Sequence, residues 1–246
     1  MQSLKQILFK NGKVDKESDL YIELKNDFTF HSSAIEGSKV SKQDNLSLIT
    51  EPYKIDSLLK KYPEKDVVEN LNLIRVFDYV VDTHDEQLSI SYIKKIHGIL
   101  CKDSPDLYDR DEQAGEFRRH DVRVGKHLGA RPEYIHILLS KLLKDFKKSL
   151  NLNDVAKFHC EYEIIHPFYD GNGRTGRMIM FKQCIQNNIK PFYVENINVR
   201  SYYLGIEYYE VTNKTTAMIE YLMNQQERFN IKYLLKFKVK SREKEI

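Results

Sequence analysis

The run His166-Pro167-Phe168-Tyr169-Asp170-Gly171-Asn172-Gly173-Arg174-Thr175-Gly176-Arg177 decides how this chain folds. It sets an imidazole, a carboxylate, a glycine-rich turn and two guanidiniums within about three helical turns of sequence. Such a set can hold phosphates and take a proton from a group beside them. Two local folds compete for it, and the flanking residues speak to both.

Gly171 to Gly176 satisfies the GxGxxG dinucleotide fingerprint. Phe158, Cys160, Tyr162 and Ile164 alternate like a strand leading into it, and Pro191-Phe192-Tyr193-Val194 reads as a second strand ending at Glu195. Against this, the chain lacks the strand–helix rhythm of a doubly wound sheet. Five residues, His166 to Asp170, also separate the strand from its first glycine, and Asp170 would face a pyrophosphate with no cation between them. Nor is the run a Walker A loop, because Arg177-Met178 stands where Lys-Ser/Thr belongs. The other reading is helix, loop, helix. Val155, Phe158, Tyr162 and Ile165 share a helical face that ends near His166 before Pro167, and a second helix begins at about Arg174 with Met178, Phe181 and Ile185 inside. Its first amides and the Gly-Asn-Gly turn would form an anion cradle.

The remaining sequence favours helices. Its 246 residues, 41% apolar and 30% charged, suit a globular protein of one large domain or two small ones. Only 10 glycines and 6 prolines interrupt it. Asp19 reads as the cap of a helix carrying Leu20, Leu24, Phe28, His31 and Ile35 and stopped at Gly37. Asp66 reads as the cap of a second, with Val67, Leu71, Ile74, Asp78 and Val81 on one side. A third starts near Ser89 and buries Ile90, Ile93, Ile96 and Leu100; a fourth runs from Pro132 through Ile135, Leu138, Leu139 and Leu142 to Phe146. Val122-Arg123-Val124 alternates before the turn-rich Gly125 to Gly129, which predicts a short β-hairpin.

A net charge of +3 is too slight to indicate a nucleic-acid binder, and no helix-turn-helix is legible near the C-terminus, so DNA binding is not expected. Cys101, Cys160 and Cys184 are an odd number without a CxxC pair, which suits reduced thiols in a cytoplasmic protein rather than a disulfide framework or a zinc site. No run approaches the roughly 18 to 20 apolar residues of a membrane span. The N-terminus lacks the apolar core of a signal peptide. His31, His84, His97, His120, His127 and His136 show no metal-ligand spacing, and His159 is expected to pack or hydrogen-bond.

His166-x-Phe168-x-Asp170-Gly171-Asn172-Gly173-Arg174-x-x-Arg177 resembles the signature of the Fic family, with every signature position filled. Phe158-His159, Glu163-x-Ile165 and Ala114-Gly115-Glu116-Phe117-Arg118 agree with the family, so the resemblance spans roughly Val67 to Gln226. It implies a mainly α protein, a Fic-type helical bundle with a short β-hairpin flap over the active site. It also implies an enzyme that transfers AMP from ATP, with Mg²⁺, to a Tyr, Ser or Thr hydroxyl of a target protein and releases pyrophosphate. On that likeness His166 is the general base and Asp170 the Mg²⁺ ligand. Gly171, Asn172 and Gly173 offer donors to the phosphates, and Arg174 and Arg177 reach the outer ones. Gly173 occupies the position that is lysine in kinase-like members, which favours adenylyl transfer.

Ser32-Ser33-Ala34-Ile35-Glu36-Gly37 resembles the family's inhibitory motif, placed ahead of the core as in members that carry the inhibitory helix at their N-terminus. The resemblance implies competition, with Ser32 and Glu36 in the motif and Glu36 pairing with Arg177 in place of a phosphate. Val122, Arg123 and Val124 would dock a target protein by β-augmentation. The chain itself, rich in tyrosine, is a second expected substrate by automodification, and a homodimer is a reasonable expectation. The expected division is an N-terminal helical segment (1–60), a catalytic domain (61–226) and a basic tail (227–246) that includes Lys232, Lys236, Lys238, Lys240, Arg242 and Lys244. Two other activities stay open: hydrolytic removal of AMP from a modified protein, with Glu36 orienting water, and a non-enzymatic nucleotide-sensing module.

Overall fold

The computed structural model describes residues 3–10, 12–104, 113–125, 127–147 and 149–234. Helix α1 (Leu4–Leu8) leads into a hairpin of β1 (Phe9–Lys10) and β2 (Lys13–Val14). Helices α2 (Asp19–Ile35), α3 (Lys42–Thr50), α4 (Ile55–Leu59), α5 (Glu64–Asp82) and α6 (Ile90–Leu100) follow. A second antiparallel hairpin, β3 (Arg123–Val124) with β4 (His127–Leu128), pairs Arg123 with Leu128 and Val124 with His127. Five helices complete the order: α7 (Pro132–Asp145), α8 (Leu152–Ile165), α9 (Asn172–Gln186), α10 (Val199–Thr212) and α11 (Thr216–Phe229). The chain is therefore mainly α, and the hairpin expected at Val122 to Gly129 forms.

The strand reading of residues 158–164 fails: these residues lie inside α8. A capping box starts that helix, with Asn151 and Asp154 each accepting the other's backbone N–H. Phe192, Tyr193 and Val194 are buried but belong to no strand. Two caps also differ from expectation. Ser18, not Asp19, accepts the N–H of Tyr21 and caps α2. Asp66 lies within the first turn of α5, where its carboxylate accepts the N–H of Lys39, and Pro63 precedes the helix. Ser89 caps α6 as its sequence suggests. Leu138 faces outward from α7, which buries Ile135, Leu139 and Leu142.

α9 sits in the middle of the bundle, packed against α1, α2, α5, α6 and α8. Almost every side of it is covered, so its motif residues are held by neighbours on all faces. Phe181 of α9 meets Phe28 of α2 at 4.9 Å and Phe77 of α5 at 4.7 Å between ring centroids. Burying one such ring is worth roughly 2 kcal/mol, enough to fix the N-terminal helix α2 against the motif helix. On its far side α2 carries Asp27, a fully buried carboxylate that pairs with Lys42 and Lys232 and accepts from the hydroxyls of Tyr193 and Tyr233. Lys232 and Tyr233 belong to a π-helical turn, Asn230–Leu234, that continues α11. Lys236, Lys238, Lys240, Arg242 and Lys244 of the expected basic tail lie outside the described residues. The three cysteines are buried free thiols. Among the described residues no helix is long and apolar enough to cross a membrane.

Candidate active site

α8 ends at His166, which takes a left-handed backbone (φ 50°, ψ 64°) while its N–H still donates to the Tyr162 carbonyl at 3.0 Å. Pro167 follows and disfavours further helix in the residue before it. The imidazole Nδ1 lies 3.3 Å from the Glu163 carbonyl, so in the tautomer with the proton on Nδ1 the basic nitrogen is Nε2. Phe168 points inward, fully buried, and stacks on His97 of α6 with ring centroids 3.6 Å apart and 4° between planes. Asn172 braces the same turn from both sides. Its Oδ1 accepts the Phe168 N–H at 2.9 Å, and its Nδ2 donates to the Phe168 carbonyl at 2.8 Å. The side-chain amide of Asn172 is thus committed to loop shape, and what it can offer an anion is its backbone N–H.

His97 holds the other end of the loop. Its Nδ1 accepts the N–H of Gly115 at 2.8 Å, which leaves Nε2–H to donate to the Asp170 carbonyl at 3.0 Å. Burial pushes its pKa down to about 4, as suits a neutral ring with both nitrogens engaged. Gly171 has φ +74°, and a Cβ there would meet Cys101 Sγ at 3.1 Å and Leu100 Cδ2 at 3.2 Å, so only glycine fits. The Asp170 carboxylate accepts from the Gly171 N–H at 2.6 Å and from Arg174 at 3.3 Å, both through Oδ1. Burial would raise its pKa, but the Arg174 charge and the Gly171 N–H outweigh that and keep it below the usual carboxylate range. Among the described residues no cluster of three or more His, Cys, Asp or Glu could hold a metal by itself. One ionised carboxylate beside a phosphate cradle fits Mg²⁺, which takes few protein ligands and fills its shell with phosphate oxygens and water.

Gly171 spends its amide on Asp170, so the cradle moves to the next residues. Asn172, Gly173 and Arg174 form the first turn of α9, where backbone N–H groups have no carbonyl four residues earlier in the helix to accept them. Arg174 is buried and turns toward α5, where it donates to Glu69 Oε2 at 2.5 Å. Arg177 is equally buried and turns toward α2. Its Nε donates to Ser32 Oγ at 2.8 Å, and its Nη2 donates to the Ser32 carbonyl at 3.0 Å and to Glu36 Oε1 at 2.7 Å. The Glu36 carboxylate also lies against Gly173: a Cβ on that glycine would sit 2.6 Å from Glu36 Oε1. A negative group therefore already occupies the space over the start of α9. Behind Arg177, Glu163 is buried with its Oε1 lacking a hydrogen bond, 3.7 Å from the Nε2 of His159, which bonds the Tyr202 hydroxyl at 2.6 Å.

The hairpin of Val122, Arg123 and Val124 stands beside His166. Gly129, whose N–H donates to the Val122 carbonyl at 3.0 Å, packs so closely that a Cβ on it would be 3.3 Å from His166 Cβ. Arg123 and Leu128 are exposed on the hairpin's outer side. The structure thus sets Ser32 and Glu36 against Arg177 and the start of α9, Glu69 and Asp170 against Arg174, and the hairpin against His166. Residues 87–184, which include the whole motif, match the model of the Fic/DOC family. The chain carries a Fic domain.

Relatives agree with this. The chain is 26% identical over 209 residues to a protein adenylyltransferase Fic of Culex quinquefasciatus, across 80% of this chain and 38% of that one. It is 26% identical over 213 residues to its Aedes aegypti counterpart, again across 80% and 38%. The chain thus spans well under half the length of the curated relatives it matches. Its fold is that of a Fic domain containing signaling protein from Bacteroides thetaiotaomicron VPI-5482 (TM-score 0.69, 18% identity, 84% of each chain). It is also that of Fic-1, residues 134–508, from C. elegans (TM-score 0.74, 19% identity, 91% of this chain and 65% of that one). Three residues of the Fic site carry no role in the sequence reading: Glu69, His97 and Arg118. Glu69 had one visible signal, a charge among buried positions of α5 between Val67 and Asn70.

Proposed function

We propose that this Fic domain transfers AMP from ATP to a hydroxyl side chain of a target protein and is restrained by its own α2 helix. Supporting the reading are an ionised Asp170 carboxylate just before the first-turn amides of α9, His166 on the same loop, and Glu36 bonded to Arg177 over those amides. His166 takes the proton as the hydroxyl oxygen attacks the α-phosphorus; the new oxygen–phosphorus bond forms as the bond to pyrophosphate breaks. The amides of Asn172, Gly173 and Arg174 balance charge that grows on the departing phosphates. Asp170 would hold Mg²⁺, which when bound supplies positive charge to the phosphate oxygens.

The restraint is competition for one guanidinium. Arg177 bonded to Glu36 and Ser32 is not presented to a γ-phosphate, and Glu36 adds a like charge beside it. ATP bound with displaced phosphates is badly aligned for attack, and misplacement of that kind costs about 10²-fold. A target would be held by strand pairing along the Val122-Arg123-Val124 hairpin, which recognises main chain more than side chains.

The deciding experiment gives ATP labelled at the α- or the γ-position to the Glu36→Gly protein with cell extract. Protein labelled from the α-position alone supports adenylyl transfer. Label from the γ-position alone marks a kinase, and AMP released from a modified protein without ATP marks a hydrolase; either result rejects the proposal.

A further inference from the structure

Among the described residues Arg118 is one of the two largest fully buried side chains, and it donates to several backbone carbonyls around His166. Its Nε donates to the His166 carbonyl at 2.8 Å and its Nη1 to the His120 carbonyl at 2.7 Å. Its Nη2 donates to the Ala130 carbonyl and, at 3.4 Å, to that of Ile165. The Arg118 N–H donates to the Pro167 carbonyl at 3.1 Å, and the Ala130 N–H to Ile165 at 3.2 Å. A single guanidinium therefore joins both feet of the hairpin, at His120 and Ala130, to the last carbonyls of α8 and to the residue that carries the imidazole.

Two features make this more than packing. The Ile165 and His166 carbonyls lie where a helix runs out of internal donors, and a cation there also opposes the negative end of the helix dipole. His166 moreover adopts a left-handed backbone that a non-glycine residue holds only when its surroundings impose it. The Arg118 bond to the His166 carbonyl and the Pro167 bond to Arg118 bracket that bend. Gly129 closes the arrangement, because a Cβ on it would be 2.8 Å from Arg118 Nη2 and 3.3 Å from His166 Cβ.

We propose that Arg118 is a positioning residue for His166: it sets the backbone that aims the imidazole and ties that aim to the footing of the hairpin. The inference rests on the adenylyl-transfer reading for its kinetic consequence and on geometry alone for its structural one. A lysine cannot replace the fork, since one ammonium cannot serve carbonyls lying in different directions.

The test introduces Arg118→Lys, and separately Gly129→Ala, into the Glu36→Gly protein. Turnover and KM for ATP are measured, together with the ring signals of the eight histidines in isotope-labelled protein. The expected result is a fall in kcat of about 10²-fold with KM for ATP little changed, because the phosphate-holding residues of α9 are untouched. The His166 ring signal shifts in both variants. A merely structural role would lower kcat and ATP affinity together with thermal stability. Turnover within twofold of the parent, or a parallel loss of turnover and ATP affinity, would overturn the proposal. If Arg118→Lys does not fold, Gly129→Ala decides by the same criteria. If the parent transfers no AMP, the functional reading fails, and the ring signal alone then judges Arg118: shifted supports it, unmoved rejects it.

Discussion

Arg174 and Arg177 are the same residue less than one turn apart on α9, yet different parts of the protein hold them. Arg174 is bonded to Glu69 on α5, a core helix, and the Glu69 side chain keeps 10% of its exposure. Arg177 is bonded to Glu36 at the end of α2, where the carboxylate keeps 32%. The first pair is sealed in the bundle beside Asp170. The second lies nearer the surface, on the residue that follows the last turn of α2. The two guanidiniums are therefore chemically alike while their surroundings are not: the partner of one is sealed in the core, and the partner of the other is open to solvent.

That contrast can be broken in several ways. In the Glu36→Gly background, His166→Ala is expected to lower AMP transfer by about 10²–10⁴-fold, the usual worth of a general base. The readout is protein-bound α-label. Next, the two carboxylates should separate activity from stability. Glu36→Gly raises transfer by about 10²-fold and costs less stability than Glu69→Gln, because Ser32 still bonds Arg177 and Glu36 is the more exposed carboxylate. Glu69→Gln removes the nearer of the two carboxylates that Arg174 bonds inside the bundle, leaving only Asp170, and costs about 3 kcal/mol, without raising transfer. Denaturant midpoints and label incorporation measured on both variants decide this, and similar behaviour of the two would erase the distinction.

Smaller effects sharpen it. Ser32→Ala removes one hydrogen bond to Arg177, worth about 1 kcal/mol, and should raise transfer about fivefold. Transfer unchanged from wild type would leave the restraint to Glu36 alone. The least effect is on pH dependence. Burial pushes the Glu163 carboxyl from 4.5 up to about 8, against the pull of Arg177 and with the push of Glu36. A folded pKa above the unfolded one means this stability is complete below about 4.5 and is lost as pH rises toward 8. Thermal midpoints of wild type should carry that decline, and those of Glu163→Gln should lack it. Removing Glu36 takes away one upward push, so the decline should end at lower pH in Glu36→Gly.

What could be read in advance follows from distance along the chain. The loop was legible because His166, Asp170, the glycines and both arginines are contiguous and their spacing dictates a helix, a bend and a helix. Glu36 was legible through a short pattern shared with a family. Glu69 and Arg118 were not, because each reaches the site by packing: Glu69 from a helix about a hundred residues earlier, and Arg118 by threading backbone carbonyls that leave no mark in side-chain periodicity. His97 has no metal-ligand spacing in the sequence, and the hydrogen bonds and stack that fix its place leave no such pattern. Asp19 and Asp66 suit a cap by residue type, but Ser18 and Pro63 hold those positions. The glycine fingerprint misled for a plain reason: Gly171 is needed for a tight bend against Leu100 and Cys101, and a nucleotide-binding strand is not the only structure that demands one.

The left-handed bend at position 166 sorts replacements by handedness as well as by chemistry. Asparagine and glycine enter that region readily, whereas valine or isoleucine would have to rebuild the turn. An asparagine there keeps the contour of the loop and deletes only the imidazole, so a silent His166→Asn protein that still takes up nucleotide would report on proton transfer with the scaffold left as it was.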